Sequence, residues 1–338
     1  MTQHQLLAPL RSFGIEKSVV TEIAGRAHQT WKIESADGVF ILKQYANTDL
    51  ESLQQSIEFQ KRLITQYIPI PLFNITSSGS PITKYEEKLY VLSRHVDHVP
   101  LSAPAIEISV LKQAATTLGS LHKLDRSIYQ DLLKEIDFSK TTKAVTELIP
   151  QFSKKYSLLI STYPNQRHKL THLRTIITTT ESLRHQHHDL HFPPPWECIH
   201  GDYTPDNVLI ERSSNTLFII DWDNAKIAPR AFEIHKAIGA FCGRAPRNAY
   251  LVPIDWEKAD VFLRAYHAVN PLTIQTVNEI VTSAAYGSST YWLRFTLLQT
   301  LAEDFRMLDL LPENIEDCVF WKNNLDTYRR LLLSILSA

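Results

Sequence analysis

The chain has 338 residues, 44% of them hydrophobic, and a formal net charge of −1 at pH 7. This length allows two lobes or domains with cores of their own, and the composition argues against an extended disordered chain. The near-zero net charge gives no general attraction to nucleic acid or to an anionic membrane surface, so neither is an expected partner.

The cysteines and the N-terminus indicate the compartment. Cys198, Cys242 and Cys318 are odd in number, far apart and in no CxxC pattern, which is typical of buried or idle thiols in a reducing environment. The first ten residues have no basic stretch followed by an apolar run, and no segment approaches about 20 uninterrupted apolar residues. We therefore expect a soluble cytoplasmic protein.

The N-terminal part is typical of a small antiparallel sheet. A short helix is predicted first, at 5–13. Alternating residues then predict strands at 19–23, 30–34, 39–45 and 89–96. Ala36-Asp37-Gly38 is a hairpin signal between the second and third of these strands. Gly25 lies in the first turn, where three antiparallel strands have the shape of a nucleotide-covering loop, with a single glycine in place of a glycine-rich set.

Apolar residues at helical spacing predict a helix at 49–66. This helix carries Glu58, fifteen residues after Lys43 of the third strand. It also carries Glu51 in its first turn, where a carboxylate complements the helix dipole. From Pro104 onward the sequence is mainly helical.

The stretch that carries chemistry is His200-Gly201-Asp202, with Asn207 five residues after the aspartate. Two short apolar strands follow and end on Asp221-Trp222-Asp223. An aspartate in such a turn can accept or orient the proton of an attacking hydroxyl, while the amide and the later carboxylate supply hard oxygens for Mg²⁺. Two strands back to back place Asn207 and Asp221 at neighbouring strand ends, as a shared metal requires. A chance polar turn is the plain alternative.

The runs HGDYTPDNVLI and IIDWDNA resemble the aminoglycoside phosphotransferase/choline kinase superfamily. Its members carry Gly where protein kinases carry Arg between the His and the Asp. The resemblance implies an α+β, two-lobed protein-kinase-like fold. A small antiparallel-sheet lobe with one helix is expected at 1–96, with a hinge near 92–97, and a larger mainly helical catalytic and substrate lobe at 97–338. It also implies ATP and Mg²⁺ as cofactors and a small-molecule hydroxyl acceptor as partner.

The resemblance further assigns roles to the motif. Asp202 would orient or deprotonate the acceptor, and Asn207 and Asp221 would hold Mg²⁺, which makes these three the expected catalytic residues. Asp223 is either a further metal ligand or a hydrogen-bonding orienter of the loop. Glu233 stands where the family has Asp and is interpreted as a packing acid that does not touch the phosphate site.

Nucleotide binding is assigned in the same way. Lys43 would contact the ATP phosphates, and Glu58 would pair with Lys43 and hold it in place, with Glu51 the weaker alternative. Gly25 would lie in the covering loop. The backbone of Ser93 to His95 would bind the adenine ring at the hinge.

Other features have plainer explanations. His168 and His172 are four residues apart, a spacing that can bind zinc, but no adjoining Glu or Cys pair completes a site, which favours a solvated helix in the His-rich stretch 168–191. His122 is expected to be structural. An aromatic patch in the C-terminal third, either core or the floor of an acceptor pocket, comprises Tyr286, Tyr291 and Trp292.

The acceptor is not specified by the sequence. The spore-coat-kinase-like and homoserine-kinase-like branches are the most similar, followed by sugar and amino-alcohol kinases. Antibiotic kinases bind polycations with clustered acids, for which the C-terminal third has candidates from Asp255 to Asp317. A protein Ser/Thr kinase is less favoured, because no long activation segment is visible. A nucleotide-binding pseudokinase with a structural or regulatory role stays open.

Overall fold

The computed structural model describes residues 3–23, 28–45, 49–136, 138–186, 192–243 and 253–337. The chain forms two compact units. The first consists of Met1–Pro100, Asp125–Leu133 and Asp206–Asn224, and the second of Leu101–Leu124, Lys134–Pro205 and Ala225–Ala338. The predicted lobe boundary at 96 lies near the end of the first stretch, and the predicted second lobe contributes two later segments to the first unit.

The strands lie close to their predicted positions where a prediction was made. They are β1 Ser18–Ile23, β2 Gln29–Ser35, β3 Gly38–Tyr45, β4 Ile82–Tyr85, β5 Lys88–Arg94, β6 His98–Val99, β7 Glu197–Ile199, β8 Val208–Glu211, β9 Leu217–Ile219 and β10 Lys226–Ala228. The predicted helix at 49–66 is also present. The helices are α1 Gln3–Ser12, α2 Leu50–Thr65, α3 Ile108–His122, α4 Phe138–Thr162, α5 Arg167–Gln186, α6 Arg230–Cys242, α7 Trp256–Val269, α8 Ile274–Leu301 and α9 Leu311–Leu336.

The first unit is built on a five-stranded antiparallel sheet with the strand order β1-β2-β3-β5-β4. Alternation along each strand gives the sheet two apolar faces. On one face Leu6 and Leu10 of α1 belong to the same buried cluster as Ile33 and Leu42. The other face packs against α2, whose first N–H groups are capped by the Asp49 carboxylate through Ser52 N–H at 2.8 Å.

A second sheet of the first unit has the order β6-β8-β9. It joins the chain just beyond β5 to the segment Asp206–Asn224, because β6 pairs with β8 and β8 pairs with β9. Ile219 N–H also donates to the carbonyl of Pro69, at 2.8 Å, in the connection that follows α2. The segment after the His200 motif is therefore an integral part of the first unit.

The second unit is mainly helical. Helix α3 packs along α7, and a Cβ at Gly119 would lie 3.1 Å from the Val269 side chain, so glycine permits this close approach. A large cluster joins α4, α5 and α8 through buried residues that include Phe152, Leu173 and Leu297. Strands β7 and β10 form a two-stranded antiparallel ladder, and β7 lies beside α3 and α6. Across both units, the antiparallel sheet followed by a helical remainder confirms the predicted α+β class.

Two expectations about the chain as a whole can be compared with the structure. Cys198 and Cys242 are free and buried, in agreement with the sequence prediction. Within the described ranges, no helix combines the length and apolar character that crossing a membrane requires.

Candidate active site

Asn207 and Asp221 lie at the same end of the β8–β9 ladder. Val208 pairs with Ile219, and Ile220 N–H donates to the carbonyl of Asn207 at 3.0 Å. Asn207 immediately precedes β8, and Asp221 follows β9 by two residues. The two apolar strands therefore place the amide and the carboxylate beside each other, as the sequence predicted.

Asp221 has a left-handed backbone conformation, with φ of 65°. Aspartate tolerates this region better than most residues, but the conformation is still strained and persists only where its surroundings enforce it. Here Trp222 supplies the constraint. Its ring is buried against Phe59 of α2, with ring centres 5.7 Å apart, and its indole N–H donates to the Ile219 carbonyl at 3.3 Å.

The amine of Lys43 on β3 contacts two carboxylates. Its Nζ lies 2.8 Å from Oδ1 of Asp221 and 2.6 Å from Oδ2 of Asp223. Burial lowers the pKa of Lys43, but the negative groups around it, Tyr45 and the two aspartates, outweigh burial and raise the pKa above its ordinary value. Burial raises the pKa of Tyr45, so its phenol is uncharged at neutral pH. The two aspartate carboxylates are therefore the groups that raise the pKa of Lys43 at neutral pH. Lys43 is therefore a permanent cation in this cluster.

The predicted pairing of Lys43 with Glu58 is corrected by the structure. Glu58 lies on the exposed side of α2, where its carboxylate meets Nε of Arg62 at 3.4 Å, one helical turn along. Phe59 and Ile57 occupy the buried face of the helix at this level. Among the residues that the structure describes, the carboxylates that contact Lys43 are those of Asp221 and Asp223. Glu51, the weaker alternative, is exposed in the first turn of α2.

His28 is a site residue that the sequence did not reveal. Its Nε2 lies 3.1 Å from Oδ2 of Asp223, the same oxygen that contacts Lys43, and its ring centre lies 4.6 Å from that of Tyr45. A single histidine after a turn belongs to no motif, so only the folded arrangement identifies it. In the structure Asp223 contacts Lys43 and His28, and both of its predicted roles, metal ligand and orienter of the loop, stay predictions. Gly25 lies outside the described residues.

The predicted hinge backbone is already engaged in the first unit. Ser93 pairs with Ile41 in the sheet, and His95 N–H donates to the carbonyl of Val39 at 3.0 Å. The strand pairing of β3 thus continues beyond the end of β5. The N–H of His95 is therefore occupied within the first unit, and the adenine contact of the Ser93–His95 backbone stays a prediction.

In the second unit, the loop with Asp202 is held by a buried carboxylate. The two oxygens of Glu233 accept hydrogen bonds from the backbone N–H groups of His200, at 2.8 Å, and Gly201. Gly201 has φ of 81°, a conformation that glycine adopts without strain. Tyr203 is buried and donates from its hydroxyl to the Ala114 carbonyl at 2.8 Å. The loop is therefore fixed on both sides of Asp202.

Glu233 is more than a packing acid. Besides the loop, it contacts Nε2 of His122 at 3.0 Å, and Nδ1 of His122 lies 2.9 Å from the Tyr266 hydroxyl. Burial raises the pKa of Glu233, but the hydrogen bond and charge of His122 and the contacts of His200 outweigh it, and the pKa lies below its ordinary value. Glu233 thus stays ionised and anchors the loop, while His122 has the structural role that was expected.

Asp202 itself contacts a lysine of α6. Nζ of Lys236 lies 2.7 Å from Oδ1 of Asp202 and 3.2 Å from the carbonyl oxygen of Gly201. Lys236 comes 34 residues after Asp202 and belongs to no recognised motif, so sequence spacing gave no sign of it.

The family of the chain follows from a comparison of sequences. A sequence model described as the phosphotransferase enzyme family matches residues 19–272, which is most of the chain and includes Lys43, Asp202, Asn207 and Asp221. The chain belongs to the phosphotransferase enzyme family. No curated protein sequence matches this phosphotransferase at a significant level.

Solved structures agree with this assignment. A spectinomycin phosphotransferase in complex with ADP and spectinomycin has a TM-score of 0.63 at 15% identity, covering 100% of this chain and 99% of that chain. A microcompartment-associated aminopropanol kinase has a TM-score of 0.63 at 12% identity, covering 97% and 99%. An amicoumacin kinase in complex with AMP-PNP, Ca²⁺ and Ami has a TM-score of 0.60 at 12% identity, covering 96% and 94%. At such identities the likeness establishes the kinase-like fold. The family match itself confirms the predicted phosphotransferase class.

The donor set of the phosphotransferase suits a hard divalent cation. Asn207, Asp221 and Asp223 offer an amide oxygen and two carboxylates, the ligands that Mg²⁺ prefers. A positive group, the ammonium of Lys43, already bridges the two carboxylates at 2.8 and 2.6 Å. The residues present therefore fit the metal that the family resemblance implies.

Three remaining features of the sequence are a possible zinc site, the histidine-rich stretch and the aromatic patch. Apart from the set of two carboxylates and one amide, the described part of the phosphotransferase has no cluster of three or more His, Cys, Asp or Glu side chains that could hold a metal. The rings of His168 and His172 lie 4.0 Å apart on α5. Several residues named earlier lie outside the described residues or have side chains that do. These are His185, His187, His188, His191, Tyr286, Tyr291 and Trp292.

Proposed function

We propose that this phosphotransferase uses ATP and Mg²⁺ to phosphorylate a hydroxyl group of a small molecule. The observation that carries the proposal is the contact between Lys43 and Asp221 at 2.8 Å. It joins a strand lysine, which can neutralise phosphate charge, to the carboxylate of a donor set that suits Mg²⁺. Phosphoryl transfer depends mainly on such positioning and electrostatic stabilisation.

Each residue has a separate task in the proposed reaction. Asp202 accepts a hydrogen bond from the acceptor hydroxyl and takes its proton as the oxygen bonds to the γ-phosphorus. The bond between that phosphorus and the bridging oxygen breaks, and ADP leaves with the electron pair. Lys43 offsets the charge of the phosphate oxygens. Asn207 and Asp221 would hold Mg²⁺, which supplies further positive charge to the phosphates when bound.

The loop anchor serves the same reaction. Because Glu233 fixes the backbone of His200 and Gly201, the Asp202 carboxylate has little freedom to turn away from its working orientation. Holding a catalytic group in place in advance removes the cost of ordering it during the reaction.

The acceptor in this proposal is a sugar, an amino alcohol or a hydroxy amino acid. Support comes from the proteins with the same fold, which are described as a spectinomycin phosphotransferase, an amicoumacin kinase and an aminopropanol kinase. The nucleotide in the proposal is supported by two of those structures, which contain ADP and AMP-PNP.

The deciding experiment is ATP consumption with Mg²⁺ and pooled hydroxyl-bearing metabolites, followed by mass spectrometry of the pool. Asp202→Asn should bind Mg·ATP normally and lose turnover by about 10³-fold or more. Asp260→Asn, which alters an exposed aspartate paired with Arg264, is the matched control and should turn over like the wild type. Full turnover by Asp202→Asn would show that another group is the base. A chain that binds nucleotide and never consumes it would be a binding protein instead.

A further inference from the structure

Two lysines of the second unit are close to Asp202. Lys236 of α6 is the nearer, with Nζ 2.7 Å from Oδ1 of Asp202, and its side chain is 47% exposed. Any hydroxyl that reaches the Asp202 carboxylate therefore comes within a few ångströms of an ammonium group that is open to solvent.

Lys226 is the second lysine. It opens β10 and pairs with Ile199, the residue directly before His200. Burial and the charge of Lys236 lower the pKa of Lys226, and the charges of Glu233 and Asp202 compensate only in part. Among the described residues, no carboxylate lies within ion-pair distance of its amine. Lys226 is thus a partly desolvated amine that lacks a counter-ion of its own.

The two carboxylates near these lysines, Glu233 and Asp202, are each engaged by groups other than Lys226. Both oxygens of Glu233 are engaged by the backbone of His200 and Gly201, and one of them also contacts His122. Asp202 contacts Lys236, and in the proposed reaction it must also serve the acceptor hydroxyl. An additional negative group beside Asp202 would be attracted by both lysines, whereas a positive group would be repelled.

The acidic residues that would suit a cationic acceptor have other partners. Asp255 caps α7 through Lys258 N–H at 3.2 Å. Four further candidates of the C-terminal third contact a residue of the chain itself. These pairs are Asp260 with Arg264, Asp304 with Arg306, Asp309 with Lys169, and Glu303 with the Tyr163 hydroxyl. These five carboxylates are therefore already engaged by groups of the chain itself.

We infer that the acceptor carries an anionic group, a carboxylate or a phosphate, beside the hydroxyl that is phosphorylated, and that Lys236 and Lys226 bind this group. The inference rests on the proposed function and selects, among small-molecule hydroxyl acceptors, those that carry an anionic group, such as hydroxy acids, sugar acids or phosphorylated polyols. It excludes amino alcohols and aminoglycosides as preferred acceptors.

The first test compares acceptors of similar size and different charge: glycerate and glycerol 3-phosphate, glycerol, and the amine serinol. We expect kcat/KM for one of the anions to exceed that for serinol by about tenfold or more, a difference of the size that one close charge contact produces. The preferred anion shows whether the anionic group of the acceptor is a carboxylate or a phosphate. Preference for serinol over both anions would overturn the inference.

The lysines are tested by substitution. Lys236→Gln and Lys226→Gln should each raise KM for the preferred anion by about tenfold, and the ratio of kcat/KM for that anion to kcat/KM for glycerol should fall by a similar factor while KM for ATP changes far less. Lys112→Gln on the exposed side of α3 is the matched control. A loss in kcat with unchanged acceptor KM would show that the lysines act on the transferred phosphoryl group, and the inference would fail.

A second readout does not depend on turnover. Acetic anhydride labelling of the wild type, followed by peptide mass spectrometry, gives the reaction rates of Lys226, Lys236 and Lys112. Glycerate or glycerol 3-phosphate should slow the labelling of the first two, and glycerol should not.

Protection without phosphorylation of any probe would support the anion site while counting against the proposed kinase activity. Phosphorylation of serinol without protection by either anion would support the proposed kinase activity and count against the anion site. If neither protection nor an anion preference is found, the inference is wrong.

Discussion

The ammonium of Lys43 lies 2.8 Å from Oδ1 of Asp221, although 178 residues separate the two along the chain. The contact links β3 of the five-stranded sheet to the turn that follows β9. It forms while Asp221 is held in a left-handed conformation with φ of 65°. Strain of this kind costs on the order of 1–3 kcal/mol and is retained where it serves a site.

Asp221→Asn tests this contact. The amide keeps the shape of the side chain but removes the charge that holds Lys43 and that Mg²⁺ requires. We expect turnover to fall by about 10³-fold or more and Mg·ATP to bind more weakly, measured by steady-state kinetics and by calorimetry with a non-hydrolysable analogue. Asp37→Asn, at the exposed β2–β3 hairpin, should leave both unchanged. Wild-type affinity for Mg·ATP in Asp221→Asn would contradict the assignment.

Glu58→Gln and Asp223→Asn together test the corrected partner of Lys43. Among the described residues, the ion-pair partner of Glu58 is Arg62 on the surface of α2, so its substitution should change KM for ATP by less than about twofold and stability by less than about 0.5 kcal/mol. Asp223→Asn removes the carboxylate that Lys43 and His28 share and should raise KM for ATP clearly. A larger rise in KM for ATP in Glu58→Gln than in Asp223→Asn would show that Glu58 is the functional partner of Lys43.

The sequence predicted what depends on local spacing. The strand ends that carry Asn207 and Asp221 follow from apolar alternation and from the residues between them, and the capped helix α2 follows from its periodicity. The partners of Lys43 and Asp202 could not be predicted in this way. His28 and Lys236 reach these groups through the fold alone, and the resemblance alone supplied Glu58, which lies on the exposed side of α2.

The anchoring role of Glu233 could not be predicted from the sequence either. Its position in the family's pattern was recognised, but a sequence does not show which backbone N–H groups a buried carboxylate will meet. Only the structure reveals that Glu233 accepts from His200 and Gly201, the two residues directly before Asp202.

Glu233→Gln tests this anchor. The substitution leaves His122 without its ionised partner and turns one acceptor oxygen into a donor that faces backbone N–H groups. Leaving a buried hydrogen-bonding group without its partner costs about 1–3 kcal/mol, so chemical denaturation should show a clear loss of stability. Because the loop itself loses its anchor, kcat of the folded fraction should fall as well. Glu233→Asp should recover part of both, and unchanged stability in Glu233→Gln would exclude the anchoring role.

The buried ring of His235 should make the folded protein less stable in acid. Within the described structure neither of its ring nitrogens has a hydrogen-bond partner, and its ring packs against Trp321 at 4.7 Å and Tyr328 at 6.2 Å. Burial lowers its pKa from 6.5 to about 3. The unfolded chain therefore binds a proton at this residue below about pH 6.5, whereas the folded chain does not until about pH 3.

Acid therefore destabilises the folded chain relative to the unfolded chain. The stability linked to neutral His235 is fully present above about pH 6.5 and is lost progressively as the pH falls toward about 3, by about 2 kcal/mol between pH 6.5 and 5. His235→Leu removes the titrating group and also an unpartnered polar ring, so its free energy of unfolding should fall less steeply over this range. His168→Leu, at an exposed position on α5, should retain the wild-type slope. Urea denaturation at pH 5, 6, 7 and 8 measures the three slopes, and parallel slopes for wild type and His235→Leu would show that His235 is protonated equally in both states.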